Sequence, residues 1–235
     1  LEHIKEEMRT PEILLEAVKN DGEAIQYIEY DVLTTEILLE AVKSNGMALQ
    51  FIKNEMRTSE ILLEAVRSCG DAIQYIDNDM LTTEILLEAV KHGEDVITYI
   101  DKKMLTPEII LEAVKSDGMA IEYIKEKMRT YEIILEAVKN DGMALQFINK
   151  KMWTHEILLE AVKNNGMVLE MIEDAEIESM QPEMIHELRL EAVKSQGDAL
   201  QCIGEDARTP EIILEAVRTN GWAIDYIDKK LWTSE

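Results

Sequence analysis

Every 24 residues this chain returns to the same phrase, and EIILEAVKNDGMALQFI (132–148) is one of nine versions of it. A period of that length constrains the fold more tightly than composition does. One phrase is one supersecondary unit, and it completes its core only against its neighbours. Copies begin at Thr10, Thr34, Thr58, Thr82, Thr106, Thr130, Thr154, Ile185 and Thr209. Numbered from that residue, the consensus reads T-x-E-I-L-L-E-A-V-K-x-x-G-x-A-I-x-Y-I-x-x-x-M-x.

Apolar residues fall at positions 4, 5, 6, 8 and 9, then at 15, 16, 18, 19 and 23. Spacings of three and four are helical, and no run alternates as a strand would. Thr at position 1 can cap the first helix by accepting from a free backbone N–H. Pro11, Pro107 and Pro210 follow where the missing N–H costs nothing. Glu at position 3 and Lys or Arg at position 10 match the two ends of the helix dipole. Gly at position 13 predicts a left-handed stop, and a second helix is expected from about position 14 to 22. A pair of such short antiparallel helices is too small to stand alone. The prediction is therefore all-α: an α-solenoid of 24-residue helix-turn-helix repeats, nine of them plus a partial repeat at both ends. The first residues match the second half of a repeat and the last match the opening of another. A single array over 1–235, excerpted from a longer chain, is expected.

LEAVKNDGMALQF (135–147) and LEAVRSCGDAIQY (63–75) resemble the "LxAVxxxGxALxY" phrase of a family of short helical repeats known as domain of unknown function 4116. The resemblance covers the chain except for about 173–186. It implies a helical-repeat fold and brings no catalytic residues. The family is uncharacterised and occurs in protists and in bacterial proteins, among them candidates for host-directed effectors.

With 24 Lys+Arg against 48 Asp+Glu, the formal net charge is −24. Such a chain repels a phosphate backbone and anionic membrane surfaces, so neither nucleic acid nor a lipid surface is an expected partner. No apolar run is long enough for a membrane span. Cys69 and Cys202 sit at different repeat positions and suggest no disulfide framework. A soluble protein is expected, with the cytoplasm and secretion as an effector both open.

No motif of a hydrolase, nucleotide-binding loop, zinc peptidase or thiol redox site occurs. HEILLE (155–160) and HELRLE (186–191) open like a zinc motif and lack its second His. DNDMLTTE (77–84) lacks the Gly and the acidic spacing of a calcium loop. No catalytic residue, cofactor or metal is expected. The persistent polar pair is Glu at position 7 with Lys or Arg at position 10, for example Glu136 with Lys139 and Glu160 with Lys163. Three residues apart on a helix they reach each other, and their stacked rows are expected to act as a register ladder.

Because copies serve as controls for one another, breaks in the pattern carry information. In VKHGEDVITYI (90–100) the glycine arrives one residue early, and Gly93 is expected to take the positive φ. The interval from Gly166 to Gly197 is 31 residues instead of 24. The extra seven equal two helical turns, and Pro182 should open a lengthened helix running to about Lys194. Arg189 stands there at position 5, where other copies have Leu or Ile. An unpaired Arg is costly in a dry core, so Pro182 and Arg189 mark a candidate hinge or interface. Met171 and Cys202, the two copies without an aromatic at position 18, flank this insertion.

Positions 2, 14 and 24 vary between copies, and Tyr131, Met143, Trp153 and Trp222 stand out there as candidates for protein binding. The function expected is a non-enzymatic protein-interaction scaffold with a partner of unknown identity. The alternative is a structural element that self-associates, as a filament or a spacer.

Overall fold

A computed structural model of the chain describes residues 10–172 and 180–227. Described elements fall into two compact units, 1–116 and 117–235. The first holds α1 (Pro11–Asn20), α2 (Thr35–Ser44), α3 (Ser59–Ser68), α4 (Thr83–His92) and α5 (Pro107–Ser116). The second holds α6 (Tyr131–Asn140), α7 (His155–Asn164), α8 (Pro182–Ser195) and α9 (Pro210–Thr219). Within each unit every α-helix packs on the next one in sequence. Each unit is thus a run of α-solenoid repeats, with helices and no strands among the described residues.

Each α-helix starts as its letters dictate. The position-1 threonine accepts from the backbone N–H three residues on, as in Thr130 to Ile133 and Thr154 to Ile157, both at 3.3 Å. After ten residues the chain leaves the helix through an extended residue at position 12, for example Asp141 (φ −138°, ψ 112°). That residue's side chain then caps the next element, with Asp141 accepting from Met143 N–H at 2.8 Å.

The second element is not the α-helix that the spacing suggested. It is a six-residue 3₁₀ helix, such as Gly142–Phe147, followed by a three-residue one, such as Lys150–Met152. In a 3₁₀ helix residues three apart eclipse one another. Gly142, Leu145 and Ile148 accordingly line one buried edge. Six residues are also few for nucleating an α-helix.

The glycine at position 13 was expected to stop the helix in a left-handed conformation. No described glycine has positive φ. The glycine answers a distant demand instead. A Cβ at Gly142 would stand 2.4 Å from the Ala161 carbonyl oxygen in the following repeat, and one at Gly46 would stand 2.3 Å from that of Ala65. Gly22, Gly70, Gly118, Gly166 and Gly197 meet the corresponding alanine carbonyl in the same way. Only a residue without a Cβ allows backbones to approach so closely.

A polar side chain completes this joint. Gly142 N–H donates to Asn164 Oδ1 at 2.7 Å, and Asn164 Nδ2 donates back to the Lys139 carbonyl at 3.0 Å. Ser68 serves Gly46 and Lys43 likewise, at 3.1 and 3.2 Å. Around these bonds the interior is wholly apolar, with no buried polar or charged residue among those described.

Both irregular copies differ from expectation. Gly93 is extended (φ −149°, ψ 152°), and the left-handed residue is Asp95 (φ 51°). Aspartate tolerates that region better than most side chains. The 3₁₀ helix there shrinks to Val96–Thr98. Helix α8 runs 14 residues against ten elsewhere, so it gains one turn and not two. Pro182 is its first residue, and Gln181 provides no side-chain cap. Residues 173–179, the rest of the predicted insertion, lie outside the described residues, as do His3, Ile177 and Trp232.

Candidate functional site

Expectation placed recognition at the variable letters of positions 2, 14 and 24, and the fold gives these three quite different surroundings.

Position 24 holds Arg57, Trp153 or Arg208 at equivalent places, just before each α-helix cap. Arg57 is half-buried and donates to three carbonyls, those of Ile52 at 2.8 Å, Tyr75 at 2.5 Å and Leu49 at 3.1 Å. Arg129 donates to Ile124 at 2.8 Å and to Phe147. Arg208 donates to Ile203 at 2.7 Å and Tyr226 at 2.5 Å. One fork thereby ties the last carbonyls of its own 3₁₀ helix to the next repeat. Burial lowers the pKa of Arg57 and Arg129 from the usual guanidinium value. Trp153 occupies the same niche, half-buried, with Nε1 donating to the Ile148 carbonyl at 3.2 Å. The sequence had offered Trp153 as a contact for partners, but its polar end already serves the frame. Lys150 Nζ lies 5.7 Å from its ring centre.

Position 2 forms a ladder in the second unit. Tyr131 is 45% exposed, and its hydroxyl donates to Glu156, the position-3 residue of the next repeat. That bond to the carboxylate raises the Tyr131 phenol above its ordinary pKa. His155 Nε2 meets Glu187 at 3.0 Å, and His186 Nε2 meets Glu211 at 3.2 Å. The two histidines therefore serve successive rungs rather than one metal. Among the described residues no group of three or more His, Cys, Asp or Glu is arranged to hold a metal ion.

Position 14 lies at the start of each 3₁₀ helix and reaches toward the next repeat. Glu23 accepts from Asn45 at 3.3 Å, and Asp198 accepts from Asn220 at 2.9 Å. Met143 is half-buried there. Trp222 is 77% exposed. Tyr131 and Trp153 are brought to the start of α7, whereas Trp222 belongs to the last described repeat. The four candidates do not form one patch.

The charge rows are exposed and mostly closed. Glu160 meets Lys163 at 2.9 Å, and seven other copies make the same pair, from Glu191–Lys194 at 2.6 Å to Glu112–Lys115 at 4.0 Å. Glu136 and Lys139 hold these positions on α6 without closing an ion pair. Arg67 also crosses to Glu88 in the next repeat at 3.1 Å. Its two basic neighbours, Lys91 first, lower the Glu88 pKa from the usual carboxylate value. Arg189 is half-buried and engaged on α8. Burial pushes the Cys202 thiol pKa up, the direction that makes a thiol less reactive.

The joint and the arginine fork were the functional features that the sequence reading missed. A signal for the joint existed: Ala at position 8 and Gly at position 13 are both small in nearly every copy. For the fork there was none, since its acceptors are backbone carbonyls, and the one in the next repeat lies 18 residues away.

No described helix is long and apolar enough to cross a membrane. A family model described as "Domain of unknown function (DUF4116)" matches residues 34–82, 58–106, 82–129, 106–153, 130–175 and 186–232. No curated protein and no solved structure matches the chain.

Proposed function

We propose, for a chain that belongs to the DUF4116 family, a non-enzymatic scaffold that presents side chains to a protein partner. One observation carries this reading. The close approach between repeats is made by backbone groups and by the alanine and glycine letters, which hardly change, so the exposed letters at positions 2 and 14 can differ without opening it. Aromatic side chains at such places stand in solvent, Tyr131 and Trp222 foremost. Exposed Tyr and Trp offer large contact area at low conformational cost.

A photo-crosslinking residue placed at position 131 or 222 tests the reading. A single dominant adduct that disappears with Tyr131→Ala or Trp222→Ala is expected. Cross-linking that is absent, or indifferent to both substitutions, would sink it.

A further inference from the structure

Two neighbouring joints of the first unit share the same backbone approach and differ in the polar bonds around it. A Cβ on Gly46 would stand 2.3 Å from the Ala65 carbonyl oxygen, and one on Gly70 would stand 2.3 Å from that of Ala89. Between the second repeat (34–57) and the third (58–81), Ser68 Oγ accepts from Gly46 N–H at 3.1 Å and donates to the Lys43 carbonyl at 3.2 Å. Across the same joint Arg57 donates to the Tyr75 carbonyl at 2.5 Å, and Asn54 donates to Asp77 at 2.5 Å.

Between the third repeat and the fourth (82–105) the bridge and the fork are both replaced. His92 stands at the position of Ser68, and its imidazole lies 3.9 Å from Glu88 of its own helix, α4. Leu81 stands at the position of Arg57 and has no donor to offer. Gly93 stands where Asn45 donates to Glu23, so Asp71 finds no amide there, and its Oδ1 is buried without a hydrogen-bond partner. A buried acceptor left unpaired is destabilising. Among the described residues the one hydrogen bond that crosses this joint is Arg67 to Glu88 at 3.1 Å. That pair is open to solvent, where an ion pair is worth little. On its other side the fourth repeat lacks the glycine approach, because exposed Glu94 fills that position.

We infer that the first unit opens at the joint between its third and fourth repeats while the repeats on either side stay folded. Apolar burial alone then keeps this joint closed, with Ile73 and Leu86 each 2% exposed. Opening uncovers the 3₁₀ helix Gly70–Tyr75, which packs on α4, and leaves Gly46–Phe51 covered by α3. Stacked repeats touch only their neighbours, so one joint can part without unfolding the rest. The array is articulated at an internal place that its lettering marks.

Hydrogen exchange on the 235-residue chain tests the inference, because matched amides lie on the two sides. Ala72 N–H donates to the Cys69 carbonyl at 3.0 Å and Ile76 N–H to that of Ile73 at 2.9 Å. One repeat earlier, Ala48 N–H donates to Asn45 at 2.9 Å and Ile52 N–H to Leu49 at 3.1 Å. With the same bonds in both repeats, a difference in protection reports the joint. After correction for intrinsic rates, Ala72 and Ile76 should exchange roughly 10-fold or more faster than Ala48 and Ile52, as the loss of two or more net hydrogen bonds implies. His92→Asn supplies the side chain with which Asn164 bridges Gly142 N–H and the Lys139 carbonyl. It should slow exchange at Ala72 and Ile76 by about 5-fold, and Ser68→Ala should speed it at Ala48 and Ile52 by about as much. Equal protection at the two pairs in the wild-type chain overturns the inference. So does a difference that neither substitution moves, since the missing bonds would then not be its cause.

Discussion

Two copies depart from the pattern, and they do so in opposite ways. Before α8, the interval from Gly166 to Gly197 grows to 31 residues, yet a Cβ on Gly166 would still stand 2.2 Å from the Ala192 carbonyl. In the copy at 82–105 the length is unchanged and the glycine has moved by one residue. There the close approach is gone: Glu94 holds the glycine position and is exposed, and Asp95 turns the chain at φ 51°. The apolar half survives, with Val96 and Ile97 buried. Extra chain between joints is thus tolerated, as loop-closure entropy growing only with the logarithm of length would allow. A one-residue shift within the joint is answered by rebuilding the turn.

This contrast can be broken by experiment. Gly166→Ala should cost about 3 kcal/mol or more in urea unfolding, as much as Gly142→Ala, because both place a Cβ against a backbone oxygen that has nowhere to go. A cost below about 1 kcal/mol for Gly166→Ala alone would mean that the inserted residues relax the joint after all. Arg129→Ala should cost about 2 kcal/mol, since it leaves half-buried carbonyls without donors, and Arg129→Lys should recover little because it lacks the fork. Trp153→Phe, which deletes a single donor from the same niche, should cost about 1 kcal/mol.

Gln181→Thr sharpens the comparison from the other side. It supplies α8 with the cap that its neighbours have and should stabilise the protein by about 0.5–1 kcal/mol, while Thr154→Ala should cost about 1 kcal/mol. The smallest effect belongs to the charge rows. Glu88→Gln should cost less than about 0.5 kcal/mol, because the site is open to solvent and salt. Its sign is set by the lowered carboxyl pKa in the folded chain. The contribution is present above the ordinary carboxylate range and is lost as pH falls through the folded value, so the wild-type advantage over Glu88→Gln should vanish in acid.

Local letters carried most of the fold. Threonine caps, proline starts and Glu–Lys pairs act within one turn, and the sequence displays them at fixed spacing. The 3₁₀ helices escaped because apolar residues at positions 15, 16, 18 and 19 fit either helical period. Gly142 was misread for a different reason. Its demand comes from Ala161, in another repeat, and a one-dimensional reading credits glycine with its own φ first. Among the candidate contacts, Trp222 was legible as an exposed aromatic. Trp153 was not, because nothing in its neighbours reveals that its N–H is taken by Ile148.

The joint has one consequence for how such a chain can grow. Both halves lie in the same 24 letters: the glycine that faces forward and the alanine that faces back. An in-frame duplication of one repeat in the gene therefore inserts a unit that fits on both sides at once, with no second mutation needed. Copy number can drift in such a gene while the glycine and alanine of each joint still meet, and a lost repeat need leave no gap in the stack.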